Sequence, residues 1–256
     1  MSRAADSAGI PFDGREFRAH PFQGDDGSAP EQLQAALARW ASEKSPSSVS
    51  EVVEALRTSR VLVPLLAEAG EFGVTDAGHV VEKSQELSIV TVEGPDGQPV
   101  AVCFSDTESM SRWRLDSRPV PVEAQKVAAW VVEDQLARAV INPGSETECV
   151  LRRGAIVALL TGDPYRSPAD DPEIVSHVSA AFEQFPVESV SLTTGWDLMG
   201  GNGPDLVVEV ALAPGLTAEQ LHERQAHWAS VWATSPVLNR YVDGIRLKIV
   251  ASSPGQ

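Results

Sequence analysis

Leu87-Ser-Ile-Val-Thr-Val92, Glu93-Gly-Pro-Asp-Gly-Gln98 and Pro99-Val-Ala-Val-Cys-Phe104 are the stretch on which the fold turns. Two apolar runs flank a segment whose Gly and Pro content reverses the chain, so the stretch reads as a β-hairpin. Just downstream, Ser105-Asp-Thr-Glu108 supplies a hydroxyl or carboxylate N-cap with an acid three residues on, the capping-box arrangement that satisfies orphan amides at a helix start. The pattern predicts a short helix running to Arg114. Val122 to Glu133 carries Val127, Ala128, Val131 and Val132 at the spacing of a buried helix face. Arg138-Ala-Val-Ile141 then reads as a strand that closes on the tight turn Asn142-Pro-Gly144.

Upstream, residues 1–28 are rich in Gly, Pro, Asp and Ser, with Phe12, Phe17 and Phe22 spaced among them, and read as an irregular arm that packs through its aromatic residues. Leu33, Ala36, Leu37 and Trp40 form one face of a helix. A second helix is expected from a Ser48/Glu51 capping box, with Val49, Val52, Val53 and Leu56 inward. Arg60 to Leu66 is rich in strand formers, and Pro64, which cannot donate to a ladder, assigns it to a sheet edge or a bulge. Residues 68–82 read as a surface loop.

Downstream, Cys149-Val-Leu151 is a strand, while Ala155 to Leu160 is too short for periodicity to separate strand from helix. Thr161 to Pro172, with three prolines and three aspartates, reads as a linker. Beyond it, a helix starting at Asp171 and Pro172 carries Ile174, Val175, Val178 and Phe182. Val187 to Thr194 and Leu206 to Leu212 form a hairpin around Gly200-Gly-Asn-Gly203. Thr217 and Gln220 cap a helix bearing Leu221, Trp228 and Trp232, and Ile245 to Val250 is a half-buried strand. The expected fold class is α+β, in two small mixed domains. A 1–28 arm precedes an N-terminal domain at 29–160, with a central sheet flanked by helices, and the 161–172 linker leads to an αββαβ unit at 173–251.

At 256 residues and 43% hydrophobic composition, the chain holds enough apolar surface for a sizeable core. Its 36 acidic and 20 basic residues give a net charge of −16, which disfavours direct binding to nucleic acid or anionic membrane. Basic protein surfaces and cations are the partners such a field favours, although acidity also serves solubility alone. The first ten residues lack the apolar core of a signal peptide and no run reaches a membrane span, so a cytoplasmic location is expected. Cys103 and Cys149 fall in strands and are expected to be reduced, buried thiols.

The chemistry-bearing motifs mostly fail on spacing. His222 and His227 are five apart, not the four that would face one metal, and no Cys-x-x-Cys occurs. Gly201-Asn-Gly203 lacks the third glycine of a dinucleotide fingerprint, and neither a phosphate-binding Lys loop nor a nucleophile elbow is present. Cys103 lies between Val102 and Phe104, away from any group that would lower its pKa. Asp25 and Asp26 lack further oxygen ligands at calcium-loop spacing and read as turn residues. No catalytic, cofactor or metal residue is assigned.

The strand ending in Phe104-Ser105, the helix carrying Trp113 and the strand closing on Ile141-Asn-Pro-Gly-Ser145 resemble the N-terminal domain of the SseB family, the enhanced serine sensitivity proteins. The resemblance covers residues 29–160. Gly14-Arg-Glu-Phe17 and Pro21-Phe-Gln-Gly-Asp-Asp-Gly27 resemble actinobacterial members, and the C-terminal unit resembles the family's second domain. The resemblance implies the two-domain fold and brings no catalytic residue with it, but it directs attention to Arg112 and Trp113 with the Asn142-Pro-Gly-Ser145 turn, so Arg112, Trp113 and Asn142 are its partner-binding candidates. An Arg beside a Trp can form a recognition surface, but a core Trp with a solvated Arg is the commoner arrangement, and Asn142 also suits a plain turn. The expectation is a non-catalytic protein that binds a protein partner or a small metabolite. An enzyme or regulator of serine or sulfur amino-acid metabolism is the alternative that the family's name implies, and assembly through an exposed sheet edge is a third; oligomeric state is left open.

Overall fold

The computed structural model describes residues 22–67, 72–74, 80–82, 87–195 and 203–251. The chain opens with α1 (Glu31–Glu43) and α2 (Pro46–Leu56), two helices packed together. Leu33, Ala36, Leu37 and Trp40 of α1 are all buried, as their spacing requires, each large side chain contributing roughly 1.5–3 kcal/mol. Trp40 buries its indole N–H only because the Glu148 carbonyl accepts it, at 2.6 Å. The start of α2 differs from expectation: Ser45 is the N-cap and shares a reciprocal box with Ser48. Pro46 explains the shift, since at the first helical position it has no amide to leave unsatisfied. Glu51 pairs instead with Arg39 of α1, at 3.1 Å.

Eight further elements build the first sheet region: β1 (Arg60–Ala67), β2 (Phe72–Val74), β3 (Val80–Glu82), β4 (Leu87–Ile89), β5 (Thr91–Glu93), β6 (Pro99–Cys103), α3 (Thr107–Trp113) and β7 (Arg118–Glu123). The expected loop at 68–82 holds the antiparallel pair β2 and β3; its other residues lie outside the described set. The hairpin is present as β5 and β6, Thr91 facing Ala101. Its first apolar run, however, is split between sheets, β4 pairing with β1 while β5 pairs with β6.

Pro64 does not place β1 at an edge. β1 is the central strand of β4-β1-β7, with Pro64 opposite Pro119. Leu62 and Phe104 exchange two 2.8 Å backbone bonds, so the peptide groups of Leu62, and by the two-residue period those of Pro64, point away from β7. The missing amides of Pro64, Pro119 and Pro121 therefore cost the β1–β7 ladder nothing. β7, an edge strand containing two of these prolines, is absent from the sequence reading.

α4 (Ala124–Glu133), β8 (Arg138–Ile141), β9 (Cys149–Leu151) and α5 (Arg153–Thr161) complete this half. α5 settles residues 155–160 as helix. In α4, Val127, Ala128 and Val131 are buried, but Val132 is 54% exposed, lying past the edge of the apolar stripe. The sheet order is β5-β6-β8-β9, with β6 and β8 parallel, and the Leu62–Phe104 bridge joins it to β1. One apolar cluster gathers α1, α2, α4, α5 and the strands between them.

The C-terminal half contains α6 (Pro172–Ser179), a 3-10 turn (Ala180–Phe182), β10 (Ser189–Thr194), β11 (Leu206–Leu212), α7 (Ala218–Thr234), α8 (Pro236–Tyr241) and β12 (Ile245–Ala251). β11 lies between antiparallel β10 and parallel β12. The Thr217/Gln220 capping box forms as read. A second apolar cluster centres on Trp228, Trp232 and Phe182, whose ring meets both indoles edge-on. Both halves combine helices with small sheets, an α+β architecture. Between α5 and α6, Tyr165 packs on the first cluster and Ala169 on the second.

Phe12, Phe17, His20, His79 and the Gly200–Asn202 part of the hairpin turn lie outside the described residues. The described part of the arm is tied down. Asp25 pairs with buried Arg60 at 2.6 Å, and Arg60 also donates to the carbonyls of Ser28 and Ser105. Gly27, at φ +80°, accepts from the Thr107 amide at 2.9 Å, and a Cβ there would fall 2.5 Å from the Thr107 methyl. Only glycine fits.

Candidate functional site

The parallel strands β6 and β8 end together, at the register pair Cys103 and Ile141. Each then leaves the sheet through a hydroxyl-rich segment, one leading into α3 and the other into the 142–148 loop. The carboxyl edge of parallel strands is where such sheets open a crevice. Asn142 fixes the geometry. It sits at φ 50°, a left-handed conformation that Asn tolerates better than most residues, and is only 2% exposed. Its amide donates to the Cys103 carbonyl at 2.9 Å. Its side-chain Oδ1 accepts from the Ser105 amide at 2.9 Å, while Nδ2 donates to the hydroxyls of Ser105 and Thr147 at 2.9 and 3.0 Å. One amide thus ties both departing loops together.

Asp106, not Ser105, caps α3, accepting from the Ser109 amide at 2.7 Å. The expected capping box does not close, because Glu108 turns outward to pair with Arg112. Burial acts to raise the Asp106 pKa, but the Ser105 hydroxyl at 2.6 Å and the Ser109 amide and hydroxyl outweigh it and hold the carboxyl below its ordinary range. Ser145 donates to the Asn142 carbonyl at 2.9 Å, and Glu148 accepts the Gly144 amide at 2.6 Å. The loop is therefore braced at both ends.

Above this network lies an open groove of about 650 Å³. α3 supplies Ser109, Arg112 and Trp113 to one wall; the other runs from Pro143 to Thr147. Trp113 is half-buried, its ring 5.4 Å from Phe104 in a small cluster with Leu62, Val102 and Met110. Arg112 is exposed. Of the three residues singled out in the sequence, Arg112 and Trp113 line the groove and Asn142 supports it from beneath. Ser109 and Thr147 escape the sequence reading, which includes Ser145 only as the end of the Asn142-Pro-Gly-Ser145 turn. The signal that finds them is a clustering of hydroxyls just after two apolar strands. The lining can hydrogen-bond, stack and pair charge, and among the described residues it contains no His, Cys or Lys. Cys103 and Cys149 lie in the core, where burial pushes both thiols up to about 12.

A second polar cluster lies between the two halves. Arg152, at the start of α5, places Nε 2.5 Å from Asp205 and 3.3 Å from Asp243, and Nη2 donates to the Gly203 carbonyl at 2.9 Å. Asp205 also accepts the Asp243 amide at 2.6 Å, and Arg153 pairs with Asp243 at 3.1 Å. Burial foremost, then the Asp243 charge, pushes Asp205 up to about 6 against the pull of Arg152.

Among the described residues no group of three or more His, Cys, Asp or Glu is placed to hold a metal, and no helix is long and apolar enough to cross a membrane. His227 instead meets Phe185 edge-on, at 5.3 Å. No curated protein matches the chain. Residues 33–158, which run from the first buried side chain of α1 into α5 and contain every residue of the groove, match the family described as SseB protein N-terminal domain.

Proposed function

We propose that the chain is a non-catalytic binding or adaptor protein of the cytoplasm, SseB-like in both halves and of the actinobacterial type, whose partner docks in the Arg112–Trp113 groove. In this reading residues 29–160 and 173–251 are separate domains joined by the 161–172 linker. The observation that carries it is the pairing of a rigid floor with an open polar mouth. Asn142 locks both loops, while Trp113, seated on Phe104, presents an aromatic edge beside an exposed guanidinium. Pre-set aromatic and Arg anchors are what recognition surfaces use. The free thiols suit a reducing compartment, and the net charge of −16 favours a protein segment with a basic surround.

The test is native mass spectrometry of the protein isolated gently at host expression levels, beside an Arg112→Glu variant. Arg112 is exposed, so the variant keeps its fold. A stoichiometric added mass present in the wild type and lost in the variant supports the groove. An added mass that persists in the variant sinks it, and turnover of a defined substrate that one point substitution abolishes would replace it with an enzyme.

A further inference from the structure

A smaller and more enclosed cavity, of about 260 Å³, lies where α5, the 163–168 segment, α6 and α8 meet. The chain has only two tyrosines, and both Tyr165 and Tyr241 line it. Gly154 of α5 lets them approach. A Cβ there would sit 3.0 Å from the Tyr241 carbonyl and 3.4 Å from Cε2 of Tyr165, so a larger residue would push one segment away. Tyr165 packs on the first apolar cluster and Tyr241 on the second, so the cavity has both walls only when the halves are docked.

The charges on the lining are unequal. Asp163, Asp171 and Glu173 line it, with Arg166 the single cation among the described lining residues. Asp171 is committed to capping α6, accepting from the Glu173 and Ile174 amides at 2.9 and 3.3 Å. Asp163 and Glu173 are exposed, on the rim. Burial pushes the Tyr165 phenol up, so it stays protonated at neutral pH and its wall is an uncharged aromatic one. The Tyr241 ring already draws a cation: the Arg240 guanidinium, outside the cavity lining, lies 5.3 Å from its centre. Two phenol rings, an apolar floor and rim carboxylates are the elements that hold a desolvated ammonium group. The volume is below that of a drug-sized pocket, which limits the occupant to a compact one.

We propose that this pocket binds a small organic cation, its alkylammonium group held by Tyr165 and Tyr241 and faced by Asp163 and Glu173. The site is separate from the Arg112–Trp113 groove and stands or falls independently of it. Because the chain has no other tyrosines, fluorotyrosine labelling of the full protein gives two fluorine NMR signals that both report on this pocket. Choline chloride is the probe, against sodium chloride at equal ionic strength and against dimethylbutanol, choline's neutral carbon isostere. Both signals are expected to shift saturably with choline and to stay in place with the isostere. The Asp163→Asn, Glu173→Gln double variant, altered only at the exposed rim, is expected to weaken choline about fivefold with an unchanged melting curve, as partly screened charges allow. The proposal is overturned if choline and sodium chloride act alike, if the isostere matches choline, or if the double variant binds as the wild type does.

Discussion

The Asn142 cluster and the Arg152 cluster both remove hydrogen-bonding groups from water, yet they are built on opposite principles. The first is centred on a neutral amide and closes within one half of the molecule. Asn142 joins Ser105 to Thr147, and the nearest charge, on Asp106, is satisfied by its own helix start. The second is ionic and spans two halves, Arg152 of α5 meeting Asp205 and Asp243, which flank β11 and β12. A neutral cluster fixes shape at small energetic stake. A buried ionic one carries large opposing desolvation and Coulomb terms, so removing a single partner is far more costly than the net worth of the pair. The groove floor is thus the kind of structure that holds a recognition surface still, while the seam is the place where one substitution or one proton has leverage.

The largest effect is therefore expected at the seam. Arg152→Met keeps the aliphatic bulk but leaves Asp205 without its closest cation, and should cost about 3–5 kcal/mol in urea denaturation. Adding Asp205→Asn, which removes the stranded charge, should restore part of that loss. If Arg152→Met costs no more than an exposed ion pair, about 1 kcal/mol or less, the seam is wetter than its burial shows and the contrast between the clusters collapses.

Asn142 sharpens the comparison from the other side. Asn142→Ala should cost about 1–3 kcal/mol, through the unpaired Ser105 amide, plus about 1 kcal/mol for a Cβ residue held at φ 50° without a local hydrogen bond. Asn142→Gly keeps the backbone conformation free of strain, so the difference between the two variants isolates that second part. Equal losses for Ala and Gly would show that the left-handed turn relaxes and that Asn142 is held by its side chain alone.

What the sequence disclosed divides along the same line. The α1 face from Leu33 to Trp40, the Thr217 capping box and the β5–β6 hairpin depend on neighbours within a few residues, and they form as read. The place of Pro64 does not. Whether a proline harms a ladder depends on which way its missing amide points, and that is set by pairing with β7, a strand whose own prolines hid it. The hinge of the first apolar run at Val90 is likewise a choice between two sheets that β1 and β6 offer only once folded. In the groove, Arg112 and Trp113 were visible through the family resemblance and because a Trp beside an Arg can form a recognition surface. The supporting hydroxyls of Ser109, Ser145 and Thr147 look like ordinary turn residues until Asn142 brings their loops together. Arg152, Asp205 and Asp243 carry no local pattern at all; only burial between the halves distinguishes them from surface charges.

The smallest effect expected is also the one that separates the clusters most cleanly, because it concerns a proton. Asp205 in the unfolded chain titrates near its ordinary value of 3.8, whereas in the fold it is pushed up to about 6. Between these values the native state holds the proton more tightly than the unfolded state does. Its contribution to stability is therefore fully present below about pH 4 and is lost as the pH rises through 6, with a slope of at most about 1.4 kcal/mol per pH unit. Asp106, beside the groove, and Asp25, on Arg60, run the other way. Their pKa values are lowered, so their contribution is present above about pH 4 and is lost on further acidification. The charged and titratable groups that face Asp205 are Arg152, Asp243, Arg153 and the neutral Tyr165. Denaturation of the wild type and Asp205→Asn between the unfolded and folded pKa values of Asp205 should give a wild-type stability that falls with pH more steeply than the variant's, whatever common slope the other acidic residues add. Parallel curves would mean that Arg152 holds Asp205 ionised throughout, making the seam a fixed ion pair and the groove's Asp106 the more acid-sensitive of the two polar clusters.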